Sequence, residues 1–260
     1  MNFRDFEIDV VRSLGFLSRL PVPGRYFRDY DGSMSRTVQA FPAAGALIML
    51  PAAAVFAILL AFRLEPPVAA IIALIVLTLI TGALHEDGLS DTADGVGGGR
   101  DREKALAIMR DSRIGSYGAS ALVLSYGLRA AAMAAIGASL TPTRAALVLI
   151  AAAGISRAAM VWHWSSLPPA RRDGVAASAG SPEAGSANVA LISAAACAVV
   201  LIWPTAGFGA AVLSIAASGL ATMVLTRYIQ DRIGGHTGDT IGASQQCAEM
   251  ATLAALALCT

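Results

Sequence analysis

Charge is scarce in this sequence. Of its 260 residues only 14 % are Asp, Glu, Lys or Arg, while 56 % are hydrophobic and mean hydropathy is +0.63. A soluble domain carries about 25 % charged residues. From Ala184 to Thr226, 43 consecutive positions, there is no charged residue at all. Roughly 20 apolar residues cross a bilayer, so this run predicts two crossings with a tight turn at Trp203-Pro204-Thr205-Ala206-Gly207. A large soluble core is the weaker reading of such a run. Clustered cysteine is lacking too: Cys197, Cys247 and Cys259 show no CxxC and no metal spacing, and read as small packing residues. A net charge of +1 gives no electrostatic basis for a nucleic-acid partner. The N-terminus, MNFRDFEIDVVRSLGFLSRLPVPG, lacks the uninterrupted apolar stretch of a signal peptide. Its Phe3, Phe6, Val10, Leu14 and Leu17 recur at near-helical spacing, which predicts an amphipathic helix on the membrane surface within residues 1–36.

What is present is a series of apolar segments. Seven spans are predicted, at about 38–62, 66–84, 115–138, 145–166, 187–204, 209–227 and 244–259, the last of them short. The expected fold is therefore all-α, a polytopic integral membrane helix bundle forming one embedded domain over residues 1–260. Sorted by the loops between these spans, fifteen of the 19 Lys and Arg fall on one side and two, Arg63 and Arg144, on the other; Arg129 and Arg157 lie within spans. The positive-inside rule then places the N-terminus in the cytoplasm. Polar segments 85–114, 167–186 and 228–243 share that side. The sequence shows no internal repeat, which weighs against a transporter built from repeated halves.

The segment after the second span reads HEDGLSDTADGVGGGRDREKALAIMRDSRIGSYG. Asp87, Asp91 and Asp94 are spaced i, i+4, i+7, and on a helix they fall within about 60° of one another. Three carboxylates on one face repel unless a positive group sits among them. Oxygen-only donors of this kind suit Mg²⁺ or Mn²⁺ held jointly with substrate phosphates. Glu86 and His85 point elsewhere on an ideal helix; His85 reads equally as a base, a supporting partner or a polar cap. Gly95 to Gly99, including Gly97 and Gly98, form a flexible run that lets backbone amides approach an anion. Arg100, Arg102, Lys104, Arg110 and Arg113 follow with positive charge, and acids, glycines and bases together suggest a metal–diphosphate site. For Arg102 and Lys104, simple enforcement of topology is an equal reading. Near the end stands GGHTGDTIGA (234–243), with Asp239 at the start of the last span and Glu249 about three turns further in. An ionisable residue inside a span is functional by default; the milder reading pairs Glu249 with Arg129 or Arg157. His163, in WHWSS, reads as a marker of the interface, and His236 as a solvated loop residue.

HEDGLSDTADG followed by ALAIMRDSRIGSYG resembles the signature of the cobalamin synthase family, the adenosylcobinamide-GDP ribazoletransferases. The resemblance runs the length of the chain, through FLSRLPVPG and FPAAGALI near the start and GGHTGDTIGA near the end. It implies a Mg²⁺-dependent transferase of cobalamin biosynthesis in the bacterial cytoplasmic (inner) membrane, its active site facing the cytoplasm. Its substrates would be adenosylcobinamide-GDP and alpha-ribazole or the 5′-phosphate of the latter. GMP would leave and adenosylcobalamin, or its 5′-phosphate, would form. By that resemblance Asp87, Asp91, Asp94 and Glu86 are the metal candidates, and Arg110 and Arg113 contact phosphate, with Asp111 orienting one of them. Asp239 is a further ligand or the base, a role for which His85 competes. Gly97, Gly98, Arg100, Thr237 and Gly238 complete the substrate-binding set. Glu86 stands where relatives carry an apolar residue, and the loop 170–187 has no assignment. The sequence leaves a homo-oligomer open. Two other diphosphate-cleaving patterns fail: Asp87-Gly88 lacks the Ala-Arg of CDP-alcohol phosphotransferases, and the second DxxxD of intramembrane prenyltransferases is missing.

Overall fold

Proline and glycine punctuate the helices of this chain. The computed structural model describes residues 3–28 and 30–260, and of Phe3 the backbone alone. The side chain of Phe3 and residues 1, 2 and 29 of the expected interfacial segment lie outside the described residues. Helix α1 (Phe3–Leu17) leads through two 3₁₀ turns, Gly24–Phe27 and Thr37–Ala40, into α2 (Phe41–Ala61). Pro42 sits in the first turn of α2 and Pro66 opens α3 (Pro66–Thr81), positions where the missing N–H costs nothing. After α3, Gly82 (φ 64°) and Ala83 (φ 59°) are both left-handed. These two residues turn the chain by 90° into α4 (Leu84–Gly98). Then follow α5 (Arg102–Ile108), α6 (Ser116–Ser139), α7 (Pro142–Ser166), the short α8 (Val175–Ser178) and α9 (Ala184–Cys197). A π turn, Ala198–Ile202, carries α9 into α10 (Trp203–Ala206), and α11 (Phe208–Ile233) and α12 (Gly238–Cys259) complete the chain.

Among the described residues, five helical stretches are long and apolar enough to cross a membrane: Thr37–Ala61, α6, α7, Ala184–Ala206 and α11. A sixth exists if α3 and the perpendicular α4 count as one broken span. Seven were expected; by length and composition the described residues give five, or six with the bent pair, for two physical reasons. The 16 residues of α3 reach only about 24 Å, against roughly 30 Å of hydrocarbon. The 22 residues of α12 are long enough but too polar, because it packs among α4, α6, α7 and α11 and directs its polar side chains at them. The turn in the long apolar run falls at Gly207 (φ 95°), while Pro204 begins the α10 turn. Val123, Leu124, Ile192, Val200, Leu220 and Val224 lie exposed on these helices, and Leu79 on α3, as a lipid-facing surface requires.

Helix α1 docks on α2 through buried Leu17. It also buries polar groups. The Asp9 carboxylate accepts hydrogen bonds from Gln39 Nε2 (2.7 Å) and Thr37 Oγ1 (3.4 Å). Deeper in the bundle, Arg129 Nη1 donates to Glu86 Oε1 (3.0 Å) and Glu249 Oε1 (3.4 Å), while Arg157 Nη1 donates to Glu249 Oε2 (2.8 Å). Gln245 Nε2 adds a bond to Glu249 Oε2 at 2.6 Å. The ionisable residues within the spans therefore pair with one another. They tie α4, α6, α7 and α12 together, as the milder reading of Glu249 anticipated.

Candidate active site

The site is built where α4 crosses α12. Neither helix has a side chain at the crossing, where Gly88 meets the α12 backbone at Asp239 and Gly242, and Gly242 faces the backbone of His85 and Gly88. The two polar motifs thereby come together. Beside the crossing opens a cleft of about 460 Å³, lined by Asp87 and His85 from α4, Gly238 and Asp239 from α12, Phe16 and Leu17 from α1, and Arg171 from the 167–183 segment.

The aspartate triad lies on α4, a helix across the end of the bundle rather than a loop. Asp87 is exposed and Asp91 half-buried. Burial, then the charges of Asp87, Asp239 and Asp94, push the Asp91 carboxyl up to about 7, with Arg171 opposing. Asp94 is different. Its carboxylate accepts the amides of Gly115 (2.7 Å) and Gly118 (2.9 Å) and so caps the start of α6 from another helix. A Cβ at Gly118 would collide with that carboxylate.

Asp239 Oδ2 accepts from Thr237 Oγ1 (3.1 Å) and Arg171 Nη2 (3.4 Å). Thr237 also caps α12 reciprocally with Thr240, and Gly238 leaves open space above the first turn. His85 is buried, and its Nε2 has no hydrogen-bond partner among the described residues. Burial and the nearby Arg157 and Arg129 hold its pKa well below that of an ordinary histidine.

Among the described residues no three His, Cys, Asp or Glu converge closely enough to hold a metal ion by themselves. Mg²⁺ does not need three, since it is typically held by one or two carboxylates with waters and substrate phosphates. Asp87, Asp91 and Asp239 are hard oxygen donors, and burial first, then the neighbouring carboxylates, raise the Asp91 carboxyl, a balance that a bound cation would relieve. The donor set fits magnesium.

Other sequence-derived candidates sit elsewhere. Glu86 is engaged by Arg129 inside the bundle, away from the aspartates. Gly97 and Gly98 belong to the last turn of α4. A Cβ on Gly97 would lie 2.7 Å from the Tyr117 ring, and one on Gly99 2.6 Å from the Ala105 Cα. Arg232 Nη2 donates to the Val96 and Gly99 carbonyls (2.9 and 2.7 Å) at this end. The glycines are therefore packing positions at a carbonyl terminus, not a flexible amide cradle. Arg100 is exposed. Arg113 pairs with Asp111 (3.0 Å from Nε), which it holds down to about 2. Arg110 Nη2 pairs with Asp173 (2.6 and 2.8 Å). Neither arginine lines the cleft. Arg102 donates to the carbonyls of Ile233 (2.8 Å) and Ala170 (2.5 Å), a structural task.

Two histidines were misread, and one arginine was missed. His163 is fully buried and bonds Thr226 (2.8 Å) and Thr240 (3.2 Å), so it does not mark the interface. His236 is buried rather than solvated, which pushes it down to about 4. Arg171 lines the cleft although it lies in the loop that had no assignment. The signal that could have found it is its position beside a pair of helix-breaking prolines, Pro168-Pro169, which force an extended segment.

The family model described as cobalamin-5-phosphate synthase matches residues 9–257. A protein of Rhizobium meliloti (strain 1021) named adenosylcobinamide-GDP ribazoletransferase is 58 % identical over 261 residues, covering 99 % of this chain and 98 % of its own. Those of Rhizobium etli (strain CIAT 652) and Azorhizobium caulinodans carry the same name at 52 % and 49 % identity, with 99 % and 94 % of this chain covered, and 99 % and 93 % of their own. No solved structure matches. With both polar motifs meeting at one cleft and the match running from end to end, the chain belongs to the cobalamin-5-phosphate synthase family.

Proposed function

We propose that this chain transfers the cobinamide phosphate of adenosylcobinamide-GDP to alpha-ribazole or its 5′-phosphate, releasing GMP and forming adenosylcobalamin or its 5′-phosphate. The observation that carries this reading is the meeting of Asp87, from the first motif, with Asp239, from the second, around one open cleft, with Asp91 close enough to feel both charges. The reaction joins a sugar hydroxyl to phosphorus and breaks the bond from that phosphorus to the bridging diphosphate oxygen. GMP leaves with the electron pair. Little covalent work falls to the protein, so alignment and charge neutralisation dominate.

Asp87 and Asp91 would hold Mg²⁺, which when bound neutralises charge on the diphosphate and its leaving group. Asp239 takes the hydroxyl proton. It lines the cleft, and Thr237 orients its carboxylate. His85 is a poor rival, because its Nε2 is buried and two arginines lower its basicity. Phe16, Leu17 and Trp164 give the cleft an apolar wall, suited to a large, partly apolar substrate. The charge asymmetry of the loops supports a bacterial cytoplasmic membrane location with this cleft on the cytoplasmic side.

The test is GMP release from adenosylcobinamide-GDP by the purified protein. Release should require both alpha-ribazole and Mg²⁺. Asp91→Asn should abolish it, whereas Asp94→Asn, whose parent caps α6, should keep a measurable rate. Wild-type turnover in Asp91→Asn would remove the metal-ligand assignment. Substrate uptake into vesicles without GMP release would replace the transferase by a transporter.

A further inference from the structure

Outside the aspartates, the cleft contains one arginine whose side chain is incompletely used. Arg171 Nη2 reaches Asp239 Oδ2 only at 3.4 Å, and its Nη1 is buried with no hydrogen-bond partner among the described residues. A guanidinium carries five N–H donors in a fixed fork that matches phosphate. Here one nitrogen of that fork reaches a cleft that Asp87 and Asp239 line. The arginines of the MRDSRIG stretch are engaged elsewhere: Arg110 and Arg113 pair with Asp173 and Asp111, and neither lines the cleft.

The backbone that carries Arg171 is tied at several points. The Ala170 amide donates to the His236 carbonyl and the His236 amide to the Pro168 carbonyl, both at 2.8 Å. Gly235 permits this approach, since a Cβ there would collide with the Pro168 carbonyl oxygen. Arg102 Nη2 donates to the Ala170 carbonyl at 2.5 Å, and Arg110 grips Asp173 two residues beyond Arg171. Further along, the Met34 amide donates to the Ala179 carbonyl (2.7 Å) and the Glu183 amide to the Ser35 carbonyl (2.9 Å). Residues 167–183 are therefore a strap laid from α7 past the mouth of the cleft to the start of α9.

We infer that Arg171 is the residue that binds the substrate's diphosphate, and that the strap, through the Arg110–Asp173 pair, positions it. The inference rests on the transferase reading and supplies the phosphate-binding cation which that reading lacks. Arg171 is a binding residue. Arg110 and Asp173 act only through it.

The probe is inorganic pyrophosphate with Mg²⁺, titrated calorimetrically into the full-length protein in nanodiscs, alongside KM and kcat for adenosylcobinamide-GDP. A charge-assisted hydrogen-bonded contact predicts about ten- to hundredfold weaker pyrophosphate binding in Arg171→Gln, with KM raised in step. Arg171→Lys should recover part of the affinity, because it keeps the charge but not the fork. Arg110→Gln should raise KM about two- to fivefold, the range of an exposed ion pair, with kcat unchanged. The exchanged pair Arg110→Asp with Asp173→Arg should restore it. Wild-type pyrophosphate binding in Arg171→Gln overturns the inference. If that variant does not survive purification, Arg171→Lys decides, since wild-type affinity there is equally fatal. A protein that binds pyrophosphate through Arg171 yet releases no GMP sinks the transferase reading alone. GMP release with indifferent Arg171 variants sinks this inference alone.

Discussion

Gly88 of α4 rests on the α12 backbone beside Gly242: a methyl group added to Gly88 would lie 3.2 Å from the Gly242 Cα and 2.7 Å from the Asp239 carbonyl oxygen. The contact sets how far Asp87 stands from Asp239. Gly88→Ala must push the helices apart, an overpacking cost of about 1–3 kcal/mol. A displacement of about 1 Å can cost on the order of a hundredfold in rate. Gly242→Ala meets its nearest atom at 3.4 Å and should be milder. GMP release and thermal midpoint, measured for both, check this. Equal behaviour of the two variants would show that the crossing does not position the site.

Asp91 makes stability depend on pH. Its carboxyl titrates near 3.8 when free and is pushed up to about 7 in the fold. The folded state therefore favours the protonated form. That contribution is complete below the free value and is lost as pH rises through the folded one. Without divalent cation, the thermal midpoint of the wild type should fall between about pH 4 and pH 7 more steeply than that of Asp91→Asn. Mg²⁺ at pH 8 should raise the midpoint of the wild type and much less that of the variant. Thermal scans across pH in chelator and in Mg²⁺ measure both effects, and parallel curves would refute the charge cluster.

Glu249 serves two arginines at once. Glu249→Gln leaves Arg129 and Arg157 without their shared carboxylate, and removing one partner of a buried pair costs about 3–5 kcal/mol. Glu86→Gln should cost less, since Arg129 keeps Glu249. Denaturation in a mild detergent ranks the two, and the opposite order would contradict the network.

The helical class and the charge asymmetry are legible in the sequence because hydropathy and the Lys and Arg tally need only local composition. Asp87 and Asp91 are legible because their shared face follows from helical spacing. What escaped is non-local. Asp94 looks like its neighbours until the amides of Gly115 and Gly118 appear beside it. The Gly95–Gly99 run looks flexible until Tyr117 and Ala105 are seen to fill its surface. Glu86 reads as a metal candidate because its partner Arg129 lies 43 positions away. Arg171 reads as a topology signal because the contacts that place it come from α5 and the 234–237 turn. The polar α12 reads as a short seventh span because the partners of its glutamines and Glu249 on other helices, Ser125, Ser156, Arg129 and Arg157, are distant in sequence.

The sharp corner after α3 has a consequence for the lipid around it. An apolar helix of 16 residues falls about 6 Å short of a typical hydrocarbon core, and a short segment is met by thinning of the adjacent bilayer. Such thinning at Gly82 and Ala83 would draw the headgroups down toward α4 and bring water and dissolved ions to Asp87 without its helix rising above the membrane.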